Sequence, residues 1–324
     1  MNKIALIGAG QIGKRHLQAL LTCSLPFTLE IVDPDIDSIE IAKKLVTKKG
    51  DISGVKTVNY SLSPDSLSKE IDLCIIATSA NVRFSVLQNL IKNTKVNNLL
   101  LEKILFQSID DYFRARDIIE KHTINTWVNC PRRMYNVYGE IKKLLSGDTK
   151  LSYTLTGGDW GLGCNAIHFI DLLAYLTGSE ISAIDNTGLD NVIKESKRSG
   201  FIEFTGTLHA TFENGSVLRM ESMSGSSEPI MFTIETSKYI VTISEKDRIM
   251  KLKDKKTEEC KTVLFDVPYQ SNLTNIVAEE LLLTGKCHLT TFYESMRLHL
   301  PLIKSLLGYY NSVNGSTSCV LPIT

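Results

Sequence analysis

The sequence predicts an α/β half built on a doubly wound parallel sheet, followed by an α+β half built on an open, mostly antiparallel sheet. Three observations lead there. An apolar run at the start of the chain empties into a glycine-rich turn. Short apolar runs then alternate with longer amphipathic stretches to about residue 130, and after residue 150 the texture changes to alternating strands separated by turn signals. A length of 324 residues, about twice that of a typical domain, agrees with a division into residues 1–125 and 126–324.

In the first half, residues 4–7, 29–32, 73–77, 98–101 and 125–129 read as strands, each a short apolar run bounded by polar residues. Val82, Val86, Leu87, Leu90 and Ile91 recur at helical spacing between two of them. Tyr112, Phe113, Ile118 and Ile119 do the same behind the start signal Ser108-Ile109-Asp110. In the second half a strand at 152–156 leads through a glycine-rich loop into an apolar helix at 165–176. Strands at 207–212 and 217–222 flank the hairpin signal Asn214-Gly215, and strands at 230–234 and 239–243 follow. Apolar repeats at 276–283 and 296–307 read as terminal helices, and the lysine-rich stretches 43–49 and 246–256 as solvated helix and hairpin faces.

Composition narrows the functional classes. Lys plus Arg (36) balances Asp plus Glu (36), so no net field draws the chain to a phosphate backbone or an anionic bilayer, and neither nucleic acid nor membrane is an expected partner. No stretch reaches the ~18 unbroken apolar residues of a membrane span, and Met-Asn-Lys runs straight into a strand rather than a secretory leader. Seven cysteines, an odd number with no two closer than 27 residues, fit neither a disulfide framework nor a zinc knuckle. The expectation is a cytoplasmic protein, and the histidines share no ligand-like spacing, so no metal site is expected.

The strongest local signal is Ile4-Ala5-Leu6-Ile7-Gly8-Ala9-Gly10-Gln11-Ile12-Gly13, a strand, a glycine triplet and a helix start. Gly8 suits the tight turn, Gly10 lets the backbone approach a pyrophosphate, and Gly13 lets helix and strand pack closely, the pattern of a Rossmann dinucleotide fold. The helix N-terminus, with Gln11 and Ile12, then offers free N–H groups to the phosphates. Asp33 closes the next strand twenty residues after Gly13, the offset of an acid that binds a ribose hydroxyl. Pro34 and Asp35 follow it with no adjacent cation, so NAD is the expected cofactor rather than NADP. Thr78, Ser79 and Asn81 stand where a strand meets a helix, either as cofactor contacts or as an N-cap cluster. Glu102 and Lys103 follow another buried run, where a charged pair needs a partner or a crevice.

On the helix at 165–176, continued back to 164, Cys164, His168, Asp171 and Tyr175 fall on one narrow stripe of an otherwise apolar surface. Such a stripe faces a cleft or a satisfied polar network. Asn165 suits a substrate hydroxyl or a helix cap, and Trp160 suits stacking on a sugar face or packing at a rim. Arg132 and Arg133 suit a carboxylate or phosphate through paired hydrogen bonds, or pair with surface acids.

Taken together these residues resemble the Gfo/Idh/MocA oxidoreductases, the family of glucose-fructose oxidoreductase and inositol 2-dehydrogenase. The resemblance runs from the Gly8 turn with its trailing Arg15-His16 through Ala77-Thr78, Glu102-Lys103, Pro131-Arg132-Arg133-Met134, Gly157-Gly158 and His168-Phe169-Ile170-Asp171-Leu172. It ends in Phe212-Glu213-Asn214-Gly215 and Leu283-Thr284-Gly285-Lys286. It implies hydride transfer between a nicotinamide cofactor and a secondary alcohol of a sugar, cyclitol, sugar acid or nucleotide-linked sugar, with Lys103 and His168 as the catalytic pair at the substrate carbinol. It also implies a homodimer or homotetramer assembled through the open sheet face. Three positions depart from the family pattern: Ile104 where proline follows the lysine, Arg83 where a histidine is common, and Cys164 beside Asn165 where an acid is usual. A nicotinamide-binding regulator without turnover is the alternative.

Overall fold

The computed structural model describes residues 1–50, 52, 54–145, 147 and 150–324. The chain divides into two compact units. One comprises Met1–Phe106, Asp110–Pro131 and Pro268–Tyr293, the other Gln107–Ile109, Arg132–Val267 and Glu294–Thr324. A single cut near residue 125 does not describe this division. The chain returns late to the first unit, where a helix and a short strand complete it.

The first unit is built on β1 (Asn2–Ile7), β2 (Phe27–Val32), β3 (Val55–Ser61), β4 (Glu70–Ile76), β5 (Lys95–Leu101) and β6 (Asn125–Val128), joined by α1 (Gln11–Leu20), α2 (Ile36–Lys49), α3 (Ala80–Asn93) and α4 (Ile109–Lys121). The strands pair in parallel in the order β6-β5-β4-β1-β2-β3, and the late strand Thr290–Thr291 adds antiparallel to β6. The apolar ends of β1, β2, β4 and β5 are fully buried, which is why they read as unbroken runs in the sequence. The edge strand β3 was not expected. Its Val-Lys-Thr-Val-Asn-Tyr-Ser sequence is half exposed and carries too little apolar contrast to register. The strand order reverses between β1 and β4, whose neighbouring ends carry Gly8 and Ala77, and ligands of open α/β sheets bind at such a switch point. The late helix Thr274–Thr284 packs against α1 and β4.

The second unit contains α5 (Asn136–Leu144), β7 (Ser152–Gly158), α6 (Leu162–Thr177), β8 (Ile181–Leu189), the two-residue pair β9 (Lys194–Glu195) and β10 (Ile202–Glu203), and β11 (Gly206–Phe212), β12 (Val217–Met223), β13 (Met231–Glu235), β14 (Tyr239–Ser244), β15 (Ile249–Asp254) and β16 (Cys260–Leu264). Its eight-stranded sheet runs β16-β15-β14-β13-β7-β12-β11-β8. Every pairing is antiparallel except β7 with β12. The sequence missed β8 and β16, the two edge strands, and β15 beside the latter, all with mostly exposed or half-exposed residues. The lysines of 246–256 stand on the β15 hairpin. Among the described residues no helix is long and apolar enough to cross a membrane, no group of three or more candidate metal ligands gathers, and none of the seven cysteines is bridged.

One aromatic cluster seats α6 on this sheet. Phe232 of β13 lies 5.7 Å from Tyr153 of β7, 6.1 Å from Tyr138 of α5 and 6.0 Å from Phe169 of α6, measured between ring centres. Phe232 is 1% exposed, so truncating it opens a cavity beneath three elements at once. Phe232→Ala is expected to cost about 3–5 kcal/mol, measured as a lowered urea midpoint, and to exceed the cost of Phe113→Ala on the exposed side of α4.

Candidate functional site

The three glycines of the first turn do three different things. Gly8 has φ of +96°, and a Cβ there would lie 2.9 Å from the Ala77 carbonyl carbon. A Cβ on Gly13 would overlap the Gly8 carbonyl oxygen at 1.9 Å, whereas one on Gly10 would meet nothing within 4 Å. So Gly8 and Gly13 are required by the protein itself, while the bareness of Gly10 leaves its backbone open to a ligand. The first turn of α1 has no side-chain cap and no acid, leaving its N–H groups available to an anion. Nearby in the fold, the Thr78 hydroxyl is buried without a hydrogen-bond partner among the described residues. Asp33 joins the end of β2 to the turn, one carboxylate oxygen accepting the Ala9 N–H at 2.6 Å and the other the Asp35 N–H at 2.9 Å. These residues fit a dinucleotide. Gln11 and Asn81 are exposed and Ile12 half-buried. Ser79 takes the N-cap position of α3, with its hydroxyl donating to Asn81 rather than to a helix N–H.

Glu102 is engaged by groups of the protein. It is 5% exposed, and it accepts from the His16 ring at 2.9 Å and from the Asn129 amide at 2.5 Å. The other nitrogen of His16 bonds the Thr274 hydroxyl at 2.8 Å. Burial opposes ionisation of Glu102, but the hydrogen bond and charge of His16, then Asn129 and the Lys103 charge, outweigh it and hold the carboxyl below its usual range. Glu102 is thus a structural carboxylate that precedes Lys103, itself half-buried. The Lys103–Ile104 peptide is cis. Beyond it, the Arg83 guanidinium, only 1% exposed, donates to the carbonyls of Ile104, Leu105 and Thr78.

In the second unit, the polar stripe of α6 is confirmed. Cys164, Asn165, His168 and Tyr175 are half-buried on a helix whose other residues, apart from Ala174 and Thr177 near its end, are buried, and of the stripe only Asp171 is closed off, at 1% exposure. Asp171 is taken by a two-bond fork from Arg133, both contacts 2.8 Å. Arg132 makes a matching fork to Glu245 at 2.8 and 2.9 Å, and Tyr138 donates to the same carboxylate. Both arginines therefore bind carboxylates as expected, but carboxylates of the protein. Trp160 is held rather than loose. Its indole N–H donates to the Glu221 carbonyl at 2.8 Å, its ring stands edge-on to Phe169, and its own carbonyl accepts from Asn165. The neighbouring Asp159 is tied by Lys194 at 2.7 Å and by the Gly225 N–H at 2.8 Å. The sequence reading missed Glu203, which reaches the start of α6 from β10, and Glu245. It also missed the role of Arg83, whose position three after Ala80 and four before Leu87 put a charge on the buried face of α3.

Residues 2–130 match the Gfo/Idh/MocA family model, described as an oxidoreductase family with an NAD-binding Rossmann fold. The rhizopine catabolism protein MocA of Rhizobium meliloti is 24% identical over 196 residues, 55% of this chain and 58% of that protein, so this chain aligns with little more than half of its relative. Among solved structures, the fold is similar to UDP-N-acetylglucosamine 3-dehydrogenase GnnA from Acidithiobacillus ferrooxidans (TM-score 0.72, 14% identity, 94% of this chain and 96% of that one). It is also similar to a super-repressor mutant of Gal80p from Saccharomyces cerevisiae (TM-score 0.70, 18% identity, 97% and 96%).

Two outcomes follow from this geometry. Gly10→Val, with open space for its side chain, is expected to keep the native melting temperature while abolishing NADH binding read by fluorescence. Wild-type binding strength in that variant would remove the turn as phosphate cradle. Glu102 has a lower pKa folded than unfolded, so its contribution to stability is present above about pH 4.3 and is lost as pH falls through the folded value. Glu102→Gln is therefore expected to melt lower than wild type at neutral pH and to lose less stability than wild type on acidification.

Proposed function

We propose that this chain, a member of the Gfo/Idh/MocA oxidoreductases through its nucleotide-binding residues 2–130, is an NAD-dependent dehydrogenase acting on a secondary alcohol of a sugar, cyclitol, sugar acid or nucleotide-linked sugar. The observation that carries the reading is the glycine turn, with Gly10 open to a ligand and Asp33 fastened to Ala9. The unit of Met1–Phe106, Asp110–Pro131 and Pro268–Tyr293 serves the cofactor, and the unit of Gln107–Ile109, Arg132–Val267 and Glu294–Thr324 serves the substrate and the contact between subunits. The setting is the reducing cytoplasm, in keeping with seven unbridged cysteines.

When bound, the nicotinamide ring supplies the redox chemistry. In the oxidative direction His168 takes the proton of the substrate hydroxyl, and Lys103 donates a hydrogen bond to that oxygen as negative charge develops. Asn165 and Trp160 contact substrate. Arg132, Arg133 and Asp171, occupied by protein partners, act instead by positioning α6 and the residues around it. Asp33, with no neighbouring cation, favours NAD over NADP.

The half-exposed residues Thr154, Thr156, Arg219, Glu221, Met231 and Thr233 alternate with the buried ones on β7, β12 and β13, and this face joins subunits into a homodimer or homotetramer. A second reading, a cofactor-binding regulator without turnover, is favoured by one observation: both arginines and Asp171 are already satisfied within the chain.

Absorbance of reduced nicotinamide across a panel of sugars and cyclitols separates the two readings. Lys103→Ala and His168→Ala should each lower kcat by about 10²-fold or more with little change in cofactor affinity, and the double variant should fall short of the product of the two losses. Near-normal turnover in both single variants would end the assignment. Titration calorimetry should show tighter NADH than NADPH binding, a gap that Asp33→Ala narrows. Light scattering should report a dimer or tetramer.

A further inference from the structure

A buried cation joins two loops of the nucleotide-binding unit. Arg83, in the first turn of α3, is 1% exposed, and a charge so far from water needs acceptors around it. One of its terminal nitrogens donates to the carbonyls of Ile104 and Leu105, and the other to the carbonyl of Thr78. Ile104, Leu105 and Phe106 are fully buried, and Phe106 stands edge-on to Phe84 and Tyr112 at 5.8 and 5.2 Å between ring centres. The guanidinium therefore ties the turn that follows β4 to the segment that follows β5.

Both tied loops carry candidate site residues. The point a Cβ on Gly8 would occupy lies 3.0 Å from the Thr78 nitrogen, so Thr78 borders the glycine turn. Ile104 directly follows Lys103, whose other neighbour, Glu102, is anchored by His16 and Asn129. A proline at position 104 would lock φ by its ring, but isoleucine leaves that torsion free, so the segment needs an outside restraint. Arg83 supplies it by holding two successive carbonyls. Positions 83 and 104, both departures from the family pattern, thus meet in the fold. A lysine at 83 would bring a single nitrogen and a neutral histidine one N–H, whereas the guanidinium fork reaches three carbonyls in two loops.

Resting on the reading of Lys103 as the residue at the substrate oxygen, we infer that Arg83 is a positioning residue that fixes the Lys103 segment against the cofactor turn, doing for Ile104 what a proline ring would do at that position.

The test compares wild type with Arg83→His, Ile104→Pro and the double variant. The Ile104 N–H has no acceptor among the described residues, so the proline removes no hydrogen bond. NADH affinity is read by fluorescence titration, and kcat with saturating NAD on whichever of glucose, galactose and myo-inositol the wild type oxidises. Arg83→His should weaken NADH about tenfold, through Thr78, and lower kcat about tenfold with the sugar KM little changed. Ile104→Pro alone should leave both near wild type. In the double variant kcat should return to within about threefold of wild type while NADH binding stays weak, a split that general loosening of the fold would not give. Urea midpoints give a reading free of turnover, in which the loss caused by Arg83→His should be about halved in the proline background. Should Arg83→His not fold, Arg83→Lys takes its place with the same expectations. An unchanged kcat or NADH affinity in the folded Arg83 variant, or losses in the double variant as large throughout as in the Arg83 variant alone, overturns the inference. If the wild type turns over none of the three compounds, the NADH and urea arms alone decide the role of Arg83, so a failure of the dehydrogenase reading is told apart from a failure of this one.

Discussion

Glu102 is the constraint around which the nucleotide-binding unit is organised. A carboxylate withdrawn from water is tolerable only with donors in place, and here they arrive from α1, through His16, and from the end of β6, through Asn129. His16 lies one turn beyond Gly13, so the bond that satisfies Glu102 also orients the helix whose N-terminus follows the glycine turn. Thr274 extends the chain of contacts to the late helix. On the other side of Lys103, Arg83 gathers the carbonyls of Ile104, Leu105 and Thr78, so the backbone flanking that lysine is held from both directions.

What was legible in the sequence was whatever the chain states locally. The strand ends of the first sheet are unbroken apolar runs because both faces are covered, and the glycine turn shows itself through residue types that only a tight approach requires. The stripe on α6 was readable for a similar reason. Polar residues at helical spacing on an apolar surface leave few alternatives, and the structure half-exposes four of the five polar positions singled out there. Edge strands escaped because their residues answer to solvent on one or both sides, which removes the contrast that periodicity depends on.

The partners of the candidate site residues were not legible, because they are set by tertiary approach. Nothing near position 245 announces that its carboxylate will take Arg132, and Glu203 reaches α6 from a two-residue strand about forty positions downstream. Arginines next to one another suggested an anion site, and the chemistry was right while the ligand was not, since a guanidinium fork is satisfied as well by a protein carboxylate as by a substrate. Arg83 was the exception that could have been read further, a charge placed on the buried face of an amphipathic helix and therefore obliged to find acceptors.

The late return of residues 268–293 to the first sheet has a consequence for how the protein is made. α1, whose start carries the cofactor turn, leaves the ribosome long before the helix that covers it and the hydroxyl that completes the His16 contact, which emerge only after more than two hundred further residues. Until then the unit has its sheet without its full cover. The nascent chain consequently cannot finish one unit before starting the other, and the arrival of residues 268–293 sets the moment at which the helix behind the glycine turn gains its full set of contacts.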